Sequence, residues 1–280
     1  MKPFNVFPYG SKFDFMRLRW VSTTLAILML VVSIGAMAFK GFNFGLDFTG
    51  GIGIELRFER PADVERVRSA LEDAGYENAQ VQTFGSGNDL LIRFQAPEDA
   101  PQGSDALASI AEDVRRAAST ADNPATVMGR ESVGAQVGEE LALNGIWALI
   151  FVVVGFLIYI SARFESKFAI AAVVTTMHDV VFVLGWFALF GHEFDLTVLA
   201  GVMAVMGFSI NDTIVVFDRV RENFRSMRAE PAAIMNASVN QTLSRTVITS
   251  VVALLSVVAL YIYGGSSLRG MAEAQIVGII

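Results

Sequence analysis

The stretch LTVLAGVMAVMGFSINDTIVVF, residues 196–217, is 22 residues long and holds one ionisable side chain, Asp212. As a helix, a run of that length crosses the roughly 30 Å hydrocarbon core of a bilayer. An acid kept inside such a run costs on the order of 2.5–3.5 kcal/mol. The stretch therefore reads both as a membrane span and as the seat of a functional carboxylate.

Four more runs of the same kind lie at residues 21–39, 143–160, 169–190 and 247–263. A sixth, residues 271–280, has only ten residues and is too short to cross alone, so it is expected to be part of a sixth helix cut short or a tail at the interface. Composition agrees with a polytopic membrane protein: 53 % of residues are hydrophobic and 18 % charged, below the usual quarter. There is no cysteine, which excludes disulfides and thiolate metal sites.

Charge sets the expected topology, because Lys and Arg in short flanks mark the cytoplasmic side. Lys2, Lys12, Arg17 and Arg19 precede the first run, Arg163 and Lys167 follow the second, and Arg219, Arg221, Arg225, Arg228 and Arg245 follow the fourth. The link 191–195 has neither Lys nor Arg. The pattern places residues 1–20 in the cytoplasm and residues 40–142 outside, with a membrane core over 143–280. The outer segment carries nine basic and eighteen acidic residues, which speaks against a nucleic-acid partner. Ala36-Met37-Ala38 resembles a signal-peptide cleavage site, but the apolar run before it is long for one.

Within 40–142 the pattern changes to that of a folded domain. Ile52, Ile54, Leu56 and Phe58 alternate with Gly53, Glu55 and Arg57, a half-buried strand. Residues 61–75 read as a helix with Pro61 in its first turn and Val64, Val67 and Leu71 on one face. Residues 79–84 and 89–94 read as strands about a Gly85-Ser86-Gly87-Asn88 turn. Residues 104–118 read as a helix capped by Ser104 or Asp105, and 125–128 as a last strand. The order βαββαβ predicts an α+β ferredoxin-like domain. It shows no nucleophile–base set, clustered His or phosphate loop, so a surface that binds or moves something is expected rather than catalysis.

Inside the spans, Asp212 is accompanied by Ser209 and Asn211. On the fifth run Gln241, Arg245 and Thr249 recur every four residues as one polar stripe, with Thr242 and Thr246 beside it. Together they suggest a proton or cation path, in which the approach of Asp212 and Arg245 switches protonation. The bland alternative is a static hydrogen-bond network that specifies helix packing. His178 and Asp179 are weaker candidates, since neighbours in sequence point to different faces of a helix. Asp218, Arg219, Arg221 and Glu222 read as interfacial anchors. Gly201, Ala204 and Gly207 suit close helix packing.

Specific words in the chain carry a resemblance. Gly45-Leu46-Asp47-Phe48-Thr49-Gly50-Gly51 resembles the signature of the SecD/SecF family of bacterial protein-export subunits. Glu131-Ser132-Val133-Gly134 is similar to the family's run-in to the membrane core. The stretch from Phe208 through Asn211 and Asp212 to Arg219 resembles the fourth-helix motif of the SecF branch, Arg245-Thr246-Val247-Ile248-Thr249-Ser250 resembles its fifth-helix motif, and His178-Asp179 fits its pattern. The resemblance covers nearly the whole chain. It implies half of a resistance-nodulation-division transporter, with six spans and a periplasmic domain after the first, in the inner membrane. It implies partnership with SecD and the SecYEG channel, and with YajC and YidC, and action on exported unfolded polypeptides. It further implies use of the proton motive force through Asp212, Arg245 and Thr249, with protons as the coupling ion, no other cofactor and no enzymatic activity. The alternatives are a passive assembly scaffold and a small-molecule efflux transporter of the same superfamily, whose chains are much longer and usually carry two such halves.

Overall fold

The computed structural model describes residues 13–76, 79–84, 87–94 and 104–280. The chain divides into two compact units, Phe44–Gly145 and the remainder on either side of it.

In the Phe44–Gly145 unit, strands β2 (Gly51–Phe58), β3 (Gln80–Phe84), β4 (Asp89–Phe94) and β5 (Ala125–Val133) form an antiparallel sheet in the order β3-β4-β2-β5. Helices α3 (Val64–Asp73) and α4 (Ser104–Ala118) cover one face. (β1, Asn43–Phe44, and α2, Leu46–Thr49, come before β2.) The alternation along β2 sends Ile52, Ile54, Leu56 and Phe58 into a core with Val67, Leu71, Leu90, Ile92 and Val114, all nearly inaccessible to water. Two details differ from expectation. Helix α3 starts at Val64 because the Asp63 carboxylate accepts from the backbone N–H groups of Glu65 and Arg66, so Pro61 lies ahead of the helix. Strand β5 continues to Val133 because it pairs with the whole of β2 across a bulge at Glu55/Leu56, and this places Glu131-Ser132-Val133 in the sheet. Of the expected Gly85–Asn88 turn, Gly85 and Ser86 lie outside the described residues, and Gly87 has a positive φ of 84°.

The other face of the sheet explains the glycine signature. Gly50 and Gly51 turn the chain with φ of 68° and 120°, and α2 folds back so that buried Leu46 lies on Gly51 and Gly53. A Cβ on Gly51 would stand 2.7 Å from the carbonyl oxygen of Phe94, and one on Gly53 would overlap the Leu46 side chain. Gly138, in the first turns of α5 (Ala135–Arg163), comes as close, with its Cβ position 3.0 Å from the Gly50 nitrogen.

Beyond Leu46 this face is polar. Arg57 pairs with Asp89 at 2.7 Å. Burial pushes the Glu55 carboxyl above the ordinary glutamate value, and the nearby Glu131 and Asp89 add to the effect while Arg57 offsets part of it. A group whose folded pKa is raised lends stability below its unfolded pKa and loses it as the pH rises through the folded value. Glu55→Gln is therefore expected to raise this unit's unfolding midpoint at neutral pH and to flatten its pH dependence just above 4.5. A neutral-pH midpoint equal to or below the parent's, followed by hydrogen exchange of the β2 amides, would count against this.

The other unit is helical: α1 (Arg19–Lys40), the end of α5, α6 (Ser166–Phe190), α7 (Leu196–Ser226), α8 (Pro231–Tyr263) and α9 (Ser266–Ile279). Among the described residues, five helices are long and apolar enough to cross a membrane, and α9, with 14 residues, is not among them. The helices overrun their apolar runs. Helix α7 continues to Ser226 and α8 begins at Pro231, so the link expected over 218–246 shrinks to four residues. Charged residues are good helix formers, and buried Asn223 ties the extensions together by donating to Ser238 Oγ at 2.9 Å and Gln241 Oε1 at 3.1 Å. The chain before α1 is fixed to α8 by Asn236 and Asn240, one turn apart, which bind the backbone of Phe13, Phe15 and Met16.

Small residues set the closest helix contacts. Val198 and Val205 of α7 press onto Gly270 and Gly278 of α9, and a Cβ on Gly201 would stand 2.8 Å from the Met271 carbonyl oxygen. On α6, Gly185 lies directly against Ser33 of α1. Gly207, expected to share this role with Gly201, faces open space instead: six residues on, the helical period has carried it off the α9 seam.

Candidate functional site

The polar residues of α6, α7 and α8 gather in two places, linked by one turn of α7. The first lies between α7 and α8. Asp212 is half-buried, and Thr249, Ser250 and Arg245 of α8 are the groups that act on its carboxylate. Thr249 Oγ1 stands 3.5 Å from Asp212 Oδ1, the outer limit for such a bond, and only 2.9 Å from the Thr246 carbonyl oxygen. The hydroxyl has one proton, and the shorter contact takes it. The threonine oxygen then faces Asp212 as an acceptor, so this contact tightens when the carboxyl itself carries a proton to donate. Arg245 makes no ion pair with Asp212 within the 4.0 Å that defines one; it acts as a charge at longer range. Arg245 and Thr249 lie on the exposed side of α8.

The expected stripe along α8 divides. Gln241 points to Asn223, away from the site, and Thr242 bonds back to Ser238 O at 3.1 Å. Asn211 is exposed and has no hydrogen bond among the described residues. Asp218 pairs with Arg163, the last residue of α5, at 3.4 Å, and Arg219 pairs with Glu222 at 2.9 Å within the last turns of α7.

The second place is built on Asp179. Its Oδ1 is 3.1 Å from His178 Nδ1, and its Oδ2 accepts from Ser209 Oγ of α7 at 2.7 Å. His178 Nε2 lies 3.1 Å from the Ala26 carbonyl oxygen of α1. The two neighbours therefore pair, although adjacency on one helix does not require it. The imidazole is held by α1 on its far side, and the carboxylate swings back to meet it. Both ring nitrogens face oxygen atoms. A proton on Nε2 is accepted by Ala26 O, and one on Nδ1 by Asp179 Oδ1. Ser209 and Asp212 are three residues apart on α7, on one face. The chain thus joins His178, Asp179, Ser209, Asp212, Thr249 and Arg245 across three helices.

A third grouping was not legible from spacing. Glu273 of α9 accepts from Trp186 Nε1 at 2.9 Å and meets His192 Nδ1 at 2.5 Å. An acid in the apolar run 271–280 was the available signal; its partners lie more than 80 residues away in sequence.

Comparison with known proteins adds an independent line. A family model described as "Protein export membrane protein SecD/SecF, C-terminal" matches residues 113–280, and the "SecD/SecF GG Motif" matches residues 35–62. Over 268 residues the chain is 44 % identical to the protein translocase subunit SecF of Pseudomonas aeruginosa, covering 95 % of this chain and 85 % of the relative. It is 42 % identical to that of Vibrio alginolyticus over 278 residues (99 % and 87 %), and 40 % identical to that of Escherichia coli O157:H7 over 273 residues (97 % and 84 %). Among solved structures, SecDF of Thermus thermophilus, titled a translocon-associated membrane protein, superposes with a TM-score of 0.86 at 35 % identity, over 98 % of this chain and 37 % of that one. A structure titled SecDF in Super-membrane-facing form gives 0.66 at the same identity, over 99 % and 37 %.

Proposed function

The chain belongs to the SecD/SecF family of protein-export membrane proteins, and from that premise we propose that this accessory subunit of the Sec translocase draws on the proton motive force to promote export across the inner membrane. The observation that carries the reading is the half-buried Asp212 of α7 set against Thr249, Ser250 and Arg245 of α8. Ionised, the carboxylate is drawn to the Arg245 charge. Protonated, it donates to Thr249 and that attraction lapses. Beyond 4 Å and at an effective dielectric near 20, the attraction is worth less than about 4 kcal/mol. A proton moving through 100 mV releases about 2.3 kcal/mol, so the two are of one order and proton passage is able to switch the α7–α8 contact. The His178–Asp179 pair, with its direct contact and its link through Ser209, serves as a second station.

The Lys and Arg pattern supports an N-terminus in the cytoplasm and a periplasmic Phe44–Gly145 unit, whose strand and helix order is that of a ferredoxin-like domain. That unit takes the mechanical part, gripping unfolded chains as they emerge; it acts without enzymatic chemistry, and protons are the only cofactor. The 37 % coverage of SecDF supports a SecD-type subunit as the partner that completes the assembly. The SecYEG channel, YajC and YidC are proposed as its surroundings from family resemblance. The poorer fit to SecDF in Super-membrane-facing form than to the other SecDF structure supports a working cycle with movement between conformations.

The test is export by the full-length protein with its SecD-type partner and channel in sealed vesicles, with and without a proton gradient. The gradient is expected to speed late export. Because Arg245 acts without direct contact, Arg245→Lys is expected to keep roughly half or more of that gain, a point charge being sufficient, while Arg245→Gln loses it. No gain in the parent would leave the passive scaffold as the reading; a Lys variant as inactive as Gln would show that the planar fork makes a contact in another state.

A further inference from the structure

We propose that Glu273 and His192 form the outer proton-loading station of this subunit, the point at which protons from the periplasmic side join the path. This rests on the function and orientation proposed above. Three elements converge on one carboxylate oxygen: Trp186 near the end of α6 donates its indole N–H at 2.9 Å, His192 of the α6–α7 connection stands at 2.5 Å, and Glu273 comes from α9. The carboxylate side chain is 21 % exposed and the imidazole 44 %, so a proton acceptor inside the bundle is joined to a carrier that reaches water. Imidazole is the side-chain type that exchanges protons near neutral pH. The step is a simple transfer: the imidazolium gives its Nδ1 proton to the Glu273 carboxylate, which becomes a neutral acid, the ring is left neutral with its proton on Nε2 and a lone pair on Nδ1, and it returns to imidazolium by taking a proton from outer water.

The charged surroundings suit a collector. Lys40, at the end of α1, is engaged with the Leu189 carbonyl oxygen at 2.5 Å. Asp195 is occupied in capping α7, accepting from Val198 N at 2.7 Å. Arg269, one turn before Glu273 on α9, lies over the Tyr261 ring of α8 and donates to its hydroxyl at 3.0 Å. Glu193 follows His192 directly in the chain. No ion pair other than that with His192 engages Glu273 among the described residues. Inward, Ala274 packs on Gly201 of α7. Ser209 lies eight residues further along α7, or about 12 Å, and this leg is what a conformational change has to bridge. A purely structural role, the carboxylate as a peg that fixes α9 to α6, is the competing explanation, and the two differ in their dependence on outer pH.

The experiment follows proton influx into vesicles holding the full-length protein and its SecD-type partner, as a function of outer pH. Glu273→Gln keeps the indole bond and cannot carry a proton. It is expected to lower influx roughly tenfold at outer pH near 7.5 and to recover toward the parent near pH 5.5, where bulk protons reach the path unaided. His192→Gln, at a partly exposed position, is expected to show the same profile in weaker form, and it carries the comparison if Glu273→Gln fails to assemble. An equal loss at every pH in both variants marks the peg and overturns the proposal. Parent-like influx in both, with Asp212→Asn silent, overturns it and leaves the Asp212 path standing. Parent-like influx in Asp212→Asn overturns both.

Discussion

Asp212→Asn is expected to return export to the rate seen without a gradient, with assembly and gradient-independent export unchanged. Asparagine has nearly the shape of aspartate and still meets Thr249, but it neither ionises nor takes up the proton. The attraction to Arg245 that switches the α7–α8 contact is then absent in every state. Asp218→Asn is the control. Asp218 pairs with Arg163 at 3.4 Å, and both side chains are more than half exposed. Such a pair contributes about 0–1 kcal/mol, so this variant is expected to match the parent. Equal losses at the two positions, measured by late-stage export in vesicles, would mean that general charge, not the site, is at work.

The second large effect concerns the sheet. Gly51→Ala is expected to destabilise the Phe44–Gly145 unit by roughly 2–4 kcal/mol, combining backbone strain with overpacking. Two features act together: the backbone at φ 120°, and a methyl position 2.7 Å from the Phe94 carbonyl oxygen, a backbone atom that cannot turn away. Against the 5–15 kcal/mol that hold a whole domain together, this is enough to raise hydrogen exchange in β2, β4 and β5 severalfold or more. Gly207→Ala, where nothing lies within 4 Å, is expected to stay within about 0.5 kcal/mol of the parent. Parent-like protection in Gly51→Ala would show that neither the positive φ nor the close approach to Phe94 constrains this position.

Much of this was legible in the sequence, and the rest was not, for physical reasons. Apolar runs announce spans because hydrocarbon tolerates little else, but they mark where a helix meets lipid rather than where it ends. Thus α7 and α8 carry their helices well past the runs, through charged residues that water accepts. Arg245 and Thr249 could be joined from spacing because four residues make one helical turn. Gln241, on the same stripe, is drawn off by Asn223, a contact no single helix reveals. The His178–Asp179 pairing depends on Ala26 of a second helix holding the ring. The glycine signature was visible as a word, while its cause, Leu46 laid on Gly51 and Gly53, required the folded chain. Gly201 and Gly207 look alike in sequence and differ only in what stands opposite. Glu273 obeys the rule that singles out Asp212, yet its role needs Trp186 and His192 beside it.

The most direct measurement is proton influx into sealed vesicles containing the full-length protein and its SecD-type partner, driven by an imposed pH gradient and read with a trapped pH dye. Influx above the lipid leak in the parent, falling to the leak in Asp212→Asn, is the expected result. Influx no greater than the leak in the parent, or equal in parent and Asp212→Asn, would contradict a proton path through Asp212.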